Sequence, residues 1–269
     1  MVLESLLNLK IVRKEPWNAF LLSIFYASVG TFLAYLIFPT EVSLVMVLFT
    51  TMASIPMLVN LLKIEEREQI VFGRPFIKTH MDILSIFFFM FMGMLTFFIA
   101  LSTILPEDMF TLFFDKQIDT IRTISGMTAS AVSAGILEMI LINNFKVLFF
   151  VIVFSFLYGA GAIFILTWNA SVLGTAIGNT IRQQIANLGG GLSSYFHAVP
   201  LALGAYMVHG TLEVIAYFLG AIAGGIISAA VVRHDYKSPK FMEVLLDSVD
   251  MIILASIILI IAGIVEVVI

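Results

Sequence analysis

Apolar residues along this chain gather in long blocks instead of alternating with polar ones, and the blocks have the length of membrane crossings. A spanning helix needs about 20 predominantly apolar residues. Residues 17–38 form one such block and residues 42–62 a second, with only Pro39, Thr40 and Glu41 between them. The two are predicted to form a tight transmembrane hairpin. Residues 63–81 are polar, carrying Lys63, Arg67, Arg74 and Lys78 against Glu65, Glu66 and Glu68, and are predicted to be a loop. Residues 82–105 make a third span with an almost uninterrupted Phe/Met/Ile face. Residues 106–122 are acidic and rich in phenylalanine (Phe110, Phe113, Phe114), the pattern of a loop lying at the membrane interface. Residues 123–142 form a helix rich in small residues, and residues 146–168 form another span.

The second half is less regular. Residues 169–197 carry Asn169, Gly174, Gly178, Asn179, Arg182 and the run Gly189-Gly190-Gly191. That is too polar for a lipid-exposed span and predicts a dipping or interfacial segment. Residues 198–232 are apolar but interrupted by Gly204, Gly210, Gly220, Gly224 and Gly225. This stretch is too long for one ordinary crossing and too short for two. Irregular backbone is tolerated at membrane depth only where protein or water surrounds it, so a glycine-broken or re-entrant, protein-buried segment is expected. Residues 233–240 form a basic loop, and residues 241–269 form a last span, with Asp247 and Asp250 near its start. The fold class is therefore all-α: a polytopic transmembrane bundle of about six membrane-embedded helices. Its parts are an N-terminal segment and hairpin (1–62), a cytoplasmic loop (63–81) and a membrane core (82–269).

Composition sharpens this picture. Hydrophobic residues make up 61% and charged residues 12% of the 269, and mean hydropathy is +1.08. A soluble domain holds about 45–50% apolar and about 25% charged residues, so the excess must be solvated by the lipid bilayer. A net charge of −4 provides no basic footprint for nucleic acid. The absence of cysteine removes disulfides, thiolate nucleophiles and cysteine-based metal sites. No cleavable signal is evident, and the block at 17–38 is expected to be a first membrane helix with a basic inner flank.

Lysine and arginine set the orientation. Lys10, Arg13 and Lys14 precede the first span, four basic residues lie in 63–81 and three in 233–240; residues 106–145 hold only Lys116 and Arg122, with five acids. The expectation is a multi-pass cell-membrane protein with a cytoplasmic N-terminus and with 106–122 outside. Gly174/Gly178 and Gly220/Gly224 have the small-xxx-small spacing that lets helices approach closely. They suit intrachain packing, or a homodimer.

The candidate chemistry centres on His209 and Glu213. Their four-residue spacing puts both on one helical face, and an ionisable group inside an apolar segment marks a partner or a wet cavity. The pair can serve as metal ligands, a proton relay or a gate; equally, it can be a hydrogen-bonded pair that locks a broken helix. No cofactor is called for. A divalent metal would be held by His209 and Glu213, and zinc would need two more ligands, with His197 and Glu138 the candidates by composition. Glu138 also suits the wet face of an interfacial helix. Asn143 and Asn144, and Asn169 after Trp168, have the character of helix caps, or of groups that hydrogen-bond across helices. Glu266 is expected at the interface. There is no P-loop, GxSxG or HExxH, and no paired aspartate within the spans, so no catalytic residue is assigned and an enzyme is not expected.

From about residue 80 onward the chain resembles the stage II sporulation protein M family. The resemblance rests on Asn143-Asn144 opening a span, on Leu157-Tyr158-Gly159-Ala160-Gly161, on Asn169 with Gly174, and on His209-Gly210-x-x-Glu213. The sequence departs from the family at Ala170, where glycine is usual, and at Val214-Ile215-Ala216. The hairpin at 17–62 looks like an addition. The resemblance implies an integral membrane core with a shared buried polar motif of His209, Gly210, Glu213, Asn143, Asn144 and Asn169. In spore-forming bacteria such proteins are the membrane scaffold of a peptidoglycan-degrading complex. The expected function is a non-enzymatic scaffold for other envelope or membrane proteins; the alternatives are a transporter or channel for a small solute or ion using a buried His/Glu site, and a metal-dependent intramembrane hydrolase.

Overall fold

The computed structural model describes residues 12, 14–72, 76–129, 133–158, 161–233 and 238–268. The basic residues Lys10 and Arg13, and residues 234–237 of the basic loop, lie outside the described residues. Among those described there are eight helices and no strand: α1 (Trp17–Ile37), α2 (Val42–Phe72), α3 (Phe76–Ile104), α4 (Glu107–Ala129), α5 (Ser133–Tyr158), α6 (Ala162–Asn187), α7 (Leu192–Arg233) and α8 (Pro239–Val268). All except α4 contain a stretch long and apolar enough to cross a membrane. The all-helical polytopic bundle is thus as expected, with seven candidate crossings instead of about six.

On α1 the inward face is made, apart from Tyr26, of small side chains at helical spacing: Ala19, Ser23, Ala27, Gly30, Thr31 and Ala34. Leu21, Phe25, Phe32 and Leu36 point outward and are exposed. Lipid solvates large apolar groups as well as protein does, so burial of small residues, which brings helices close, is what holds the bundle together. Several buried hydroxyls are satisfied within their own helices, as where Thr50, Thr51 and Ser54 donate to the carbonyls of Met46, Val47 and Thr50. On α8 a single seam of Val244, Ser248, Met251, Ala255, Leu259 and Ala262 is buried, at spacings of three or four. That seam packs mainly on α7.

Four expectations need correction. Residues 63–72 and 76–80 are helical, continuing α2 and α3. A run such as Glu65-Glu66-Arg67-Glu68-Gln69 is polar but strongly helix-forming, so polarity there marked the end of the apolar block and not of the helix. Residues 106–122 are likewise not a loop: they belong to α4, which is kinked at Phe114 and opens on Glu107 and Asp108, carboxylates favoured at a helix N-terminus. Gln117 docks it. This fully buried side chain donates to the carbonyl of Ser43 and to the Ser171 hydroxyl, and accepts from the Ser43 hydroxyl at 2.8 Å.

The third correction moves a boundary. Asn143 and Asn144 end no helix, because α5 runs through them to Tyr158, and Asn169 lies inside α6. Most of the segment 169–197, expected to dip or lie at the interface, belongs to α6, a regular helix of crossing length over residues 162–187. The turn after it is formed by Gly189, Gly190 and Gly191, with φ of 82°, 77° and 92°. That is left-handed backbone, which only glycine adopts without strain.

The fourth concerns residues 198–232. They are neither broken nor re-entrant but lie in α7, one helix of 42 residues that spans about 63 Å at about 1.5 Å per residue. Residues 216–226 are buried on every side, the pattern of a central helix. The glycines are contact points. A Cβ on Gly220 or Gly224 would meet Leu148 or the Ile152 carbonyl of α5, and one on Gly174 or Gly178 would meet Phe98 or Ser102 of α3. Both glycine pairs expected to serve a homodimer are therefore occupied within one chain. Asp247 and Asp250 also shift, to the third and fourth turns of α8, because that helix begins at Pro239.

Candidate functional site: a polar cavity inside the bundle

Three helices bring polar side chains to one cavity at helical spacing. From α7 come Tyr206, His209, Gly210, Glu213 and Tyr217, each three or four residues from the next apart from the adjacent pair 209–210. From α5 come Ile140, Asn143 and Asn144. From α6 come Asn169, Leu173 and Ala176. Each set is one face of a helix. The remaining walls are Phe91 of α3, Ile121 and Ile124 of α4, and Glu266 of α8. The cavity measures about 320 Å³.

Its depth follows from where these residues sit. Phe91 and the 209–213 turn are near the midpoints of α3 and α7, whereas Glu266 is two residues from the end of α8. The cavity therefore runs from mid-bundle toward the end at which α8 finishes. That is the end where α4 lies, fixed by Arg182: its guanidinium donates to the Ser102 and Leu105 carbonyls, pairs with Glu107 and lies 4.8 Å from the Phe110 ring centre.

Inside the cavity the amides form a relay. Asn143 Nδ2 donates to Asn144 Oδ1 at 3.4 Å, and Asn144 Nδ2 donates to Glu213 Oε1 at 2.8 Å. Glu266 of α8 lines the same cavity as Glu213. Asn169 donates to the Ile165 carbonyl of its own helix at 2.8 Å. Tyr206 Oη is 3.4 Å from Thr180 Oγ1. His209 stands apart: its Nδ1 is buried and has no hydrogen-bond partner. The partner of Glu213 is thus an asparagine from another helix, and the four-residue spacing of His209 and Glu213 puts them on one cavity wall without pairing them.

Of the other residues singled out in the sequence, Glu138 is exposed on α5 and does not line the cavity. His197 is also exposed, on the first turns of α7, with its ring Nδ1 3.2 Å from the Ser193 carbonyl. Neither can complete a metal site with His209 and Glu213. Among the described residues no group of three or more His, Asp or Glu is placed to hold a metal ion. Sequence reasoning missed Tyr206 and Tyr217, and it assigned Glu266 to the interface, whereas that residue lines the cavity. The available signal was the lone carboxylate in Ala262-Gly263-Ile264-Val265-Glu266, the same kind of signal that marked Glu213.

A family model described as Stage II sporulation protein M matches residues 84–269. The match takes in every cavity-lining residue and leaves out α1, α2 and the first eight residues of α3. No curated protein matches the chain, and no solved structure does.

Proposed function

This chain belongs to the stage II sporulation protein M family, and from that premise we propose that it moves a small polar solute or ion across the membrane through the α5–α6–α7 cavity. One observation carries the reading: His209, Glu213 and Glu266 line a single cavity within a bundle whose outer surface is apolar. Ionisable groups at membrane depth cost at least a few kcal/mol and mark substrate or ion pathways. A void lined by convergent polar groups and apolar walls is the usual form of a ligand site. A dry structural lock would need no void. The test is transport itself, in proteoliposomes on a solid-supported membrane challenged in turn with alkali cations, divalent cations, ammonium compounds and amino acids. A protein-dependent current or tracer uptake for at least one class is expected. Silence across the panel, from protein that stays monodisperse, would remove the reading.

The scaffold reading draws on a different feature. At about 63 Å, α7 is about twice the thickness of the hydrocarbon core, and its first turns expose Leu192, Tyr195, Phe196 and Leu201. Such a surface suits another envelope protein or a second copy of this chain. Crosslinking from position 196 in intact membranes, followed by identification of the captured chain, tests it.

Orientation belongs to the same proposal. With α5, α6 and α7 each crossing once, α4 and the start of α8 fall on opposite sides. The lysine and arginine distribution assigns 63–81 and 233–240 to the cytoplasm and α4 to the outside. The chain has no cysteine, so Glu66→Cys, Asp115→Cys and Lys237→Cys can be labelled without background. An impermeant thiol reagent applied to intact cells is expected to modify position 115 alone. Labelling of position 66 from outside would reverse the assignment.

A further inference from the structure

The lining residues that also meet the outside locate the mouth of the cavity. Phe91, Ile140, Asn144, Gly210, Val214 and Tyr217 are buried and form its interior. Ile124 of α4 and Asn143 of α5 line it and are exposed, Ile124 to 40%. The opening therefore lies between α4 and α5, at these two side chains. That end of the bundle is wet. Glu138 precedes Asn143 by five residues and is exposed on α5, about 7.5 Å nearer the α4 end of the bundle. Asp119, Arg122 and Thr123 are exposed on α4, with Arg122 and Asp119 paired at 3.8 Å. Exposed charges are not held in hydrocarbon without cost, so the mouth faces water and not lipid tails.

The side of the mouth formed by α4 is fastened along the first part of that helix. Glu107 pairs with Arg182, Phe110 and Phe114 are buried, and Gln117 is bonded to Ser43 and Ser171. Beyond Gln117 the hydroxyls of Thr120 and Thr123 donate to the Lys116 and Asp119 carbonyls of α4 itself. What this later part presents to the cavity is hydrocarbon, from Ile121 and Ile124, one helical turn apart. Behind them stand Asn143, Asn144, His209 and Glu213. A polar solute bound for those groups must first shed water against two isoleucines, and a hydrophobic constriction of that kind gates by dewetting.

We propose that the cavity communicates with the α4 side of the membrane through this mouth, and that Ile121 and Ile124 are its gate. The gate opens when the part of α4 beyond Gln117 moves aside, while Arg182 and Gln117 keep the rest of the helix in place. The proposal rests on the transport reading for its purpose, but access to the cavity is measured without any flux.

The chain has no cysteine, and Gly210 offers a place for one. A Cβ there meets only Leu173 Cδ2, at 3.8 Å, so Gly210→Cys puts a thiol at the cavity wall without a clash. Proteoliposomes of this variant are treated with a small impermeant methanethiosulfonate carrying a trimethylammonium group. The reagent is applied on the side from which Asp115→Cys of α4 reacts and, separately, on the other. Slow modification is expected, faster from the α4 side. Ile121→Ala and Ile124→Ala, each added to Gly210→Cys and checked for a monodisperse particle, should raise the α4-side rate by about tenfold, given the hydrocarbon removed. Ile121→Trp, which adds hydrocarbon, should lower it and tests the gate from the other direction if an alanine variant fails to fold. Thr123→Ala should leave the rate unchanged. An α4-side rate that the Ile121 and Ile124 variants do not alter, an equal acceleration by Thr123→Ala, or modification from the opposite side at an equal or greater rate would each overturn the proposal. So would a thiol that stays unreactive in both alanine variants yet reacts once the chain is unfolded in detergent. Proteoliposome flux separates the two readings. Gated access with no flux of any solute sinks transport and leaves the gate standing. Flux together with a thiol rate that ignores Ile121 and Ile124 sinks the gate and leaves transport standing.

Discussion

Gly224→Leu is expected to cost the folded bundle about 3 kcal/mol, at the upper end of the usual penalty for overpacking, and to lower the thermal midpoint in detergent accordingly. Even a Cβ at position 224 would lie 2.6 Å from the Ile152 carbonyl oxygen, 3.0 Å from the Ser155 Cβ and 3.2 Å from the Phe156 nitrogen. Two of those three atoms are backbone, so no rotamer change relieves the contact and α5 itself must move. Its displacement also breaks the bond from the Ser155 hydroxyl to the Ala221 carbonyl, 2.6 Å long in the structure. Because α5 carries Asn144 to the cavity, the same variant should loosen the site. Two controls bracket the result. At Gly220 the nearest obstacles are the side-chain ends of Leu148 and Ile152, which can yield, so Gly220→Ala should cost less. At Gly204 nothing lies within 4 Å, and Gly204→Ala should leave the midpoint unchanged or raise it slightly. Fluorescence-detected size-exclusion after heating measures all three. A Gly224→Leu midpoint equal to that of Gly204→Ala would show that α5 and α7 are not in contact there.

What the sequence conveyed well is what depends on composition over a crossing length. The hairpin of α1 and α2 was legible because two apolar blocks are cut by Pro39-Thr40-Glu41 and by nothing else. What it conveyed poorly is where a helix stops inside an apolar region. In water, an Asn-Asn pair or a run of glycines competes with helical hydrogen bonds and suggests an end. Inside a bilayer no water replaces a broken backbone bond, so α5 continues through Asn143-Asn144 and α7 through five glycines. A polar side chain then reports a neighbour instead of an end. The site followed the same logic. Residues on one helix face, such as His209 and Glu213, could be associated from spacing alone. Asn144 could be linked to them because a buried carboxylate needs a donor and paired asparagines beside an apolar span can hydrogen-bond across helices. Glu266 could not, because its arrival depends on how the α8 seam registers on α7. No local pattern encodes that.

The same geometry reverses an expectation drawn from spacing. If His209 were the partner of Glu213, His209→Ala would orphan a buried carboxyl. In the structure the donor is Asn144, only 4% exposed, at 2.8 Å from Glu213 Oε1, and the buried His209 Nδ1 has no partner to lose. Asn144→Leu should therefore lower stability by about 1–3 kcal/mol, the penalty for leaving a buried polar group without its hydrogen bond. His209→Ala should cost less than about 1 kcal/mol, since it removes no bond and only widens an existing cavity. The cause can be isolated with Glu213→Leu, which removes the acceptor. In that background Asn144→Leu deletes a donor already without its carboxylate, so its cost should shrink by about 0.5–3 kcal/mol, the range found for residues in direct contact. Thermal melts of the two single variants, Glu213→Leu and the double variant complete the cycle. Additive losses would mean that Asn144 stabilises α5 through some other contact, and a His209→Ala loss as large as that of Asn144→Leu would restore the histidine as the partner of Glu213.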